Sequence, residues 1–267
     1  MKESILKPIT RFSKGEFHKI KDEIAVETII RIWVNENSIT SVLCSPTLEK
    51  ELVVGYLFTT GIINSFEEVE DIRDEGHEYK VTLNSKIDLD SRLKNSQFIN
   101  RIISTGCGPP EYWLTVRTGK GLPKIESKIQ VSMDDILKAV KDLNENSNIF
   151  RRTGATHAAG LYNASINRII VAEDVGRHNA IDKVIGYAII QGEKSFDDKI
   201  LVSTGRLTAD IVFKSAKCRI PIVASMAAAT DSGISTAKVT NTTLLGFVRG
   251  KKKANIYTNP FRIIPNK

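Results

Sequence analysis

The chain has 267 residues, enough for one large domain or two small ones. Its 41% hydrophobic and 26% charged content is that of an ordinary soluble globule, and no apolar run reaches the length of a membrane span, so a membrane protein is not expected. A net charge of +7 favours anionic partners, whether nucleic acid, a phosphorylated cofactor or an acidic protein face. No long basic stripe interleaved with aromatics and no recognised binding module argues for nucleic acid. The start, Met1 to Pro8, lacks a signal-peptide core, and 3 cysteines do not read as a disulfide framework, so a cytoplasmic setting is expected.

Thr28 to Val34 is a β-branched and aromatic run that predicts a strand; Asn35-Glu36-Asn37-Ser38 predicts a turn and Ile39 to Cys44 a second strand. Ser45-Pro46 predicts a helix start, with serine as N-cap and proline at the first helical position. Leu48, Leu52 and Tyr56 form the apolar stripe of that helix, and Gly61 ends it. Val69 to Arg73 and Tyr79 to Leu83 predict a hairpin around Asp74-Glu75-Gly76, and the polar residues 86–100 read as loop. Ser132 opens a helix over Met133 to Leu143. From residue 168 the rhythm becomes strand–helix alternation, with strands at 168–172, 199–203, 220–225 and 243–248 and helices at 180–190, 208–217 and 232–239. That alternation predicts a layered α/β unit whose sheet is at least partly parallel. The expected division is a small sheet-rich α+β domain over 1–127 and an α/β domain over 128–267.

The densest chemical signal is Glu173-Asp174-Val175-Gly176-Arg177-His178-Asn179-Ala180-Ile181-Asp182-Lys183. An apolar strand, Arg168 to Ala172, precedes it, and Ile181, Val184, Ile185 and Ala188 follow at helical spacing. Acid, base, imidazole and guanidinium thus crowd into one strand-to-helix turn, where α/β sheets bind ligands. Thr153-Gly154-Ala155-Thr156-His157-Ala158-Ala159 adds a second histidine. His157 and His178 read either as acid–base or ligand-binding groups or as structural histidines fixing turns. Asp174 and Arg177 are close enough to pair with each other. Asn179 with Asp182 reads as an N-cap pair. Arg206 follows Ser203-Thr204-Gly205 at a strand end, before a helix capped by Thr208, an arrangement suited to a phosphate.

Cys107 lies in Ile103-Ser104-Thr105-Gly106-Cys107-Gly108-Pro109-Pro110. Flanking glycines leave its sulfur open and the prolines stop regular structure. It reads as a reactive thiolate or as an incidental loop thiol. Cys44, at a strand end, and Cys218, at a helix end, read as packing residues. No Cys-x-x-Cys occurs, and His157 is followed by Ala-Ala rather than x-Glu, so the zinc-deaminase signature is absent and no metal site is expected.

The run from Glu173 to Lys183 resembles, without a break, a motif of the FdhD family, the formate dehydrogenase accessory sulfurtransferases. Thr153 to Ala159 resembles its T-G-G-x-H-A-A, with Ala155 in place of one glycine. Ser203-Thr204-Gly205-Arg206, Ile220-Pro221-Ile222-Val223-Ala224, Thr243 to Gly250 with Asn255-Ile256-Tyr257-Thr258, and Glu51 to Leu57 with Gly61-Ile62-Ile63 resemble further family segments in the same order. The resemblance covers about residues 23 to 258. It implies a C-terminal cytidine-deaminase-like three-layer α/β domain beside the smaller N-terminal α+β domain. It also implies a sulfur carrier, in which a pyridoxal-phosphate cysteine desulfurase loads sulfur as a persulfide on Cys107. The sulfur then passes to a molybdenum cofactor bearing two pterin guanine dinucleotides, Mo-bis(molybdopterin guanine dinucleotide), bound as cargo and destined for apo formate dehydrogenase.

The residues this reading places on the cargo are Phe247, Val248, Arg249, Gly250, Lys251 and Lys252, with Arg206, His157, His178 and Arg177. A homodimer is also expected. The chain departs from the family at the loop, which typically carries C-G-x-C-G. One register puts Cys107 on the first family cysteine and Pro110 on the second; the other puts Ser104 on the first and Cys107 on the second. Either way a two-cysteine relay is unavailable. Two rival readings follow, a cofactor-binding chaperone without sulfur transfer and, on charge alone, a nucleic-acid binder. The run Arg249 to Lys253 is, on its own, equally a solvated basic turn.

Overall fold

The computed structural model describes residues 2–93, 122–249 and 253–265. The chain begins with a hairpin of β1 (Ser4–Ser13) and β2 (Glu16–Ala25), closed by Lys14 and Gly15 at positive φ. The sequence reading did not foresee it, because neither strand shows the one-sided apolar alternation of a strand resting on a core. β3 (Thr28–Val34) and β4 (Asn37–Cys44) follow as expected. Helix α1 (Glu49–Thr59) starts later than Ser45-Pro46 predicts. Leu48, at φ 51°, is its N-cap, and Ser45 bonds elsewhere. Gly61 ends the helix at φ 77°. β5 (Val69–Asp74) and β6 (Glu78–Leu83) form the predicted hairpin, giving a four-stranded sheet in the order β4-β3-β6-β5. Part of the segment read as loop is helical, over 89–93. There Arg92 reaches back to Glu68 at 2.9 Å.

β7 (Val131–Ser132) leads into α2 (Met133–Asn146), where the Ser132 hydroxyl caps the Asp135 N–H at 3.1 Å. A short α3 (Asn148–Thr153) precedes β8 (His157–Tyr162) and β9 (Arg168–Asp174). The predicted alternation then appears as α4 (Arg177–Ile190), β10 (Ile200–Ser203), α5 (Ala209–Lys217), β11 (Ile222–Ser225), α6 (Asp231–Thr240) and β12 (Thr243–Arg249), with β13 (Lys253–Thr258) and β14 (Ile263–Ile264) last. The six-stranded sheet runs β13-β12-β11-β10-β8-β9, and β10, β11 and β12 are mutually parallel. Helix α4 begins at Arg177 with Gly176 as N-cap, so Asn179 and Asp182 do not cap it.

Both faces of this sheet are covered. On one face Ala158, Tyr162, Ile200, Val202 and Ile222 meet Ile136, Ala139 and Leu143 of α2. On the other, Leu161, Leu201 and Val223 join Ile181 and Val184 of α4, Leu52 and Val53 of α1, and the inner face of the four-stranded sheet, in one apolar cluster. That cluster therefore runs through both of the parts expected from the sequence. Helices α1 and α4 cross closely. A Cβ at Gly55 would lie 1.8 Å from the Asp182 carbonyl oxygen, and one at Gly186 would lie 1.9 Å from that of Glu51. Only glycine permits this approach of two backbones. No helix among the described residues is long and apolar enough to cross a membrane.

Candidate functional site

The turn between β9 and α4 is built on buried charge. Glu173 accepts from the Ile149 and Phe150 N–H groups at 2.8 and 2.7 Å and from the Thr156 hydroxyl at 2.8 Å, capping α3. Asp174 is fully buried and pairs with Lys183 at 2.7 Å, not with Arg177. Its oxygens also accept from the N–H groups of Ser45 and Gly176 and from the Asn179 amide. Lys183 further donates to the carbonyls of Ser45 and Glu173. One helical turn on, Asp182 pairs with Lys214 at 2.6 Å and accepts from Thr59. The acidic residues and the lysine of this motif thus tie α1 and α4 together and are not free for chemistry. Arg177 and His178 are what the turn leaves over.

Both project beside the loop after β10. A Cβ at Gly205 would lie 2.9 Å from Cβ of Arg177, so glycine is required for the Arg177 side chain to lie across this loop. The Arg177 Nε is buried with no hydrogen-bond partner among the described residues. His178 Nε2 is hydrogen-bonded to Asp210 Oδ2, which joins the first turns of α4 and α5. Burial alone would raise the Asp210 carboxyl, but the hydrogen bond and charge of His178 hold it well below the usual carboxylate range. Thr204 Oγ1 accepts the Ala158 N–H at 3.0 Å and lies 3.3 Å from His157 Nδ1. The hydroxyl and the ring Nδ1 share a hydrogen bond that holds the imidazole in place, its direction following the ring tautomer. Burial, then the charges of Arg177 and His178, pushes the His157 pKa down, favouring the neutral ring.

These groups lie at the edge where β10 and β11 end, β8 begins and β9 ends, because β8 runs antiparallel to both β10 and β9. A cleft of about 390 Å³ opens there, lined by Gly154, His157, Thr204, Met226, Ala227 and Arg249. It continues over α2 into a trough of about 620 Å³ with Leu137, Lys138, Val140 and Lys141, the two sharing Asn144, Met226 and Arg249. An apolar floor with basic groups on its rim suits a flat anionic molecule. No group of three or more metal-ligating side chains occurs among the described residues.

The model of the FdhD/NarQ family matches residues 25–264. The chain belongs to that family. It is 34% identical over 258 residues to the sulfur carrier protein FdhD of Bacillus pumilus, covering 96% of this chain and 95% of that protein. It is 34% identical over 262 residues to the sulfur carrier protein FdhD of Sulfolobus acidocaldarius, covering 96% of each. Among solved structures, a protein from Desulfotalea psychrophila assigned as a formate dehydrogenase accessory protein superposes with a TM-score of 0.78 at 26% identity, over 98% of this chain and all of that one.

The structure brings some of the residues expected from the FdhD resemblance together and separates others. His157 and Arg249 line the cleft, and Arg249 Nε donates to the Met226 carbonyl at 3.1 Å. Arg177 and His178 stand next to it. Arg206 is exposed with no ion pair among the described residues. Phe247 is partly exposed at φ 53°, its ring 5.4 Å from the Arg249 guanidinium. The Val248 side chain is fully buried in the core against α2, so only its backbone can face a ligand. Gly250, Lys251 and Lys252 lie outside the described residues, as does Cys107.

Sequence reasoning missed Asp210, Met226 and the side of α2 with Lys138 and Lys141. It named Thr204 only as part of a motif. The spacing of Lys138 and Lys141 was visible, but nothing in the chain said that this helix borders the β11 and β12 ends. Of the other two cysteines, burial and the nearby Asp174 push the Cys44 thiol up to about 12, and burial and Asp182 raise that of Cys218 further. Both are free and buried.

Proposed function

We propose that this chain is a sulfur carrier for formate dehydrogenase. It accepts sulfur from a cysteine desulfurase as a persulfide on Cys107 and delivers it to Mo-bis(molybdopterin guanine dinucleotide), held as cargo, before that cargo enters the apo-enzyme. The observation that carries the persulfide assignment is the state of the other thiols. Cys44 and Cys218 are buried and held protonated at neutral pH, and a thiol, unlike a thiolate, is a poor nucleophile. Cys107 is the remaining cysteine of the chain. In loading, its thiolate attacks the outer sulfur of the desulfurase persulfide, a new S–S bond forms, and the donor thiolate leaves.

The cargo end rests on the cleft. Arg249, Lys138 and Lys141 line the trough, Lys138 and Lys141 also pairing with Asp135 and Glu145, and the charge of Arg177 is felt at His157, so these cations offer phosphates a basic setting. Neutral His157, held by Thr204, offers a ring nitrogen to hydrogen-bond the cargo at the head of that cleft. The cytidine-deaminase-like description of the α/β part, its division from residues 1–127 and a cytoplasmic location belong to the same proposal. Deamination does not, since the metal-binding signature is missing.

A second reading, a cofactor-binding chaperone without sulfur transfer, is favoured by the missing second loop cysteine. Incubation with a desulfurase and cysteine, followed by mass spectrometry, separates the two. One added sulfur is expected on Cys107. Cys107→Ala abolishes both loading and maturation of the client, whereas Cys44→Ala and Cys218→Ala keep both. Full maturation by Cys107→Ala overturns the carrier reading in favour of the chaperone.

A further inference from the structure

His178 is the second residue of α4 and Asp210 the second of α5, so the bond between them joins the starts of two helices. The His178 side chain is 19% exposed and that of Asp210 17%. Burial opposes a charge on Asp210, yet the hydrogen bond and charge of His178 hold it ionised. An ionised carboxylate can only accept, so the proton of the shared bond sits on His178 Nε2. In the neutral ring the other nitrogen, Nδ1, is then an acceptor. It has no hydrogen-bond partner among the described residues.

Holding α4 against α5 does not need this bond. One turn deeper, Asp182 and Lys214 already tie the two helices with a buried pair at 2.6 Å. At the site, by contrast, hydrogen-bonding positions are left open. Next to His178 in the chain, Arg177 Nε is buried with no partner among the described residues. The charges of Arg177 and His178 both reach His157 at the cleft. Polar atoms without partners beside a cleft mark a place for a ligand. An acceptor nitrogen in the field of a guanidinium suits a group that offers both a proton and an acceptor, such as the N–H and C=O edge of a pterin or guanine ring. An ionised phosphate offers only acceptors.

We propose that Asp210 is a positioning residue of the sulfur-transfer site, keeping the proton on Nε2 of His178 so that Nδ1 accepts a ring N–H of the bound cargo. The assignment rests on the carrier reading above. Asp210 does not touch the cargo. It acts through the imidazole, because a carboxylate held against one ring nitrogen fixes which nitrogen is left to face a ligand.

The test uses the full chain, loaded by a desulfurase and cysteine and then given the cofactor and apo formate dehydrogenase. Asp210→Asn keeps the shape and replaces an acceptor-only group with an amide. It is expected to load Cys107 as the wild type does and to melt close to it, while maturation of the client falls about tenfold or more. Asp210→Glu is expected to recover most of that loss. His178→Gln is expected to show the same fall, and Asp210→Asn added to it to cost nothing further. In NMR of isotopically labelled histidine, the neutral His178 ring of the wild type is expected to carry its proton on Nε2. A proton on Nδ1 instead, Asp210→Asn maturing the client at the wild-type rate, or losses that add in the double variant overturn the assignment. So does a lower melting temperature with normal maturation per folded molecule, the result a mere tie between helices predicts. A wild type that loads no sulfur overturns the carrier reading, and this assignment with it, so the two failures are told apart.

Discussion

Replacing Lys183 by Met tests whether the 173–183 turn is a structural clamp. Lys183 and Asp174 are each fully buried and 2.7 Å apart, and the ammonium also serves the carbonyls of Ser45 and Glu173 and the Thr47 hydroxyl. Met keeps most of the volume and removes the cation. Asp174 then remains as a buried carboxylate, still accepting from the N–H groups of Ser45 and Gly176 and from the Asn179 amide, and two carbonyls lose their donor. Removing one partner of a buried pair costs about 3–5 kcal/mol, and the surviving donors place this case at the lower end. For a chain of this size about 3 kcal/mol is a fall in melting temperature of roughly 6–12 °C. The assay is calorimetry or circular dichroism on wild type, Lys183→Met and Lys183→Met/Asp174→Asn. Neutralising the stranded carboxylate is expected to recover part of the loss. A single variant that melts within roughly 2 °C of wild type, or a double variant no better than the single, refutes the reasoning.

Alkylation at pH 8 is expected to label one thiol of the native chain rapidly and all 3 after unfolding, because Cys44 and Cys218 are buried and held protonated; fast native labelling of a second thiol contradicts this. Gly55→Ala places a methyl 1.8 Å from the Asp182 carbonyl and forces α1 and α4 apart, costing about 3 kcal/mol or preventing folding, whereas Gly192→Ala meets no atom within 4 Å and pays only for its positive φ. A denaturation midpoint for Gly55→Ala equal to that of Gly192→Ala contradicts the close crossing. His157 has a lowered pKa in the folded state, so folding favours its neutral form. The stability it contributes is complete above the unfolded value near 6.5 and is lost as pH falls through the lower folded value. Wild type is therefore expected to lose more stability than His157→Gln between neutral and mildly acidic pH, and the His157 ring to titrate by NMR below 6.5; a midpoint above that value refutes the assignment.

The elements that rest on a core were legible in the chain. Thr28–Val34 has the predicted bounds, and the strands and helices from 168 onward fall within a few residues of their prediction, because one-sided burial imprints a period on the sequence. The exposed hairpin of Ser4 to Ala25 carries no such imprint. Ser45-Pro46 has the composition of a helix cap, yet the Ser45 hydroxyl and N–H serve Val175 and Asp174 about 130 positions away, a competing bond that no local rule contains. At the site, His157, Arg177 and His178 could be named from the motif. What each does could not, since Thr204 and Asp210, which orient the imidazoles, are separated from them by tens of residues.

By itself the sequence determined that this chain folds as a layered α/β protein, that one turn concentrates its ionisable groups, and that it resembles the FdhD family. These are local or ordered patterns, written in periodicity and in runs of contiguous residues. Only the tertiary structure decided which of those ionisable groups are structural and which are available. The sequence offered Arg177 as a partner for Asp174 and a helix cap as the role of Asp182, whereas the fold placed Lys183 and Lys214 against them in the interior. A charge taken out of water must be neutralised where it lies. Lys183 reaches Asp174 from α4 and Lys214 reaches Asp182 from α5, pairings set by how the elements pack and not by any local pattern of residues.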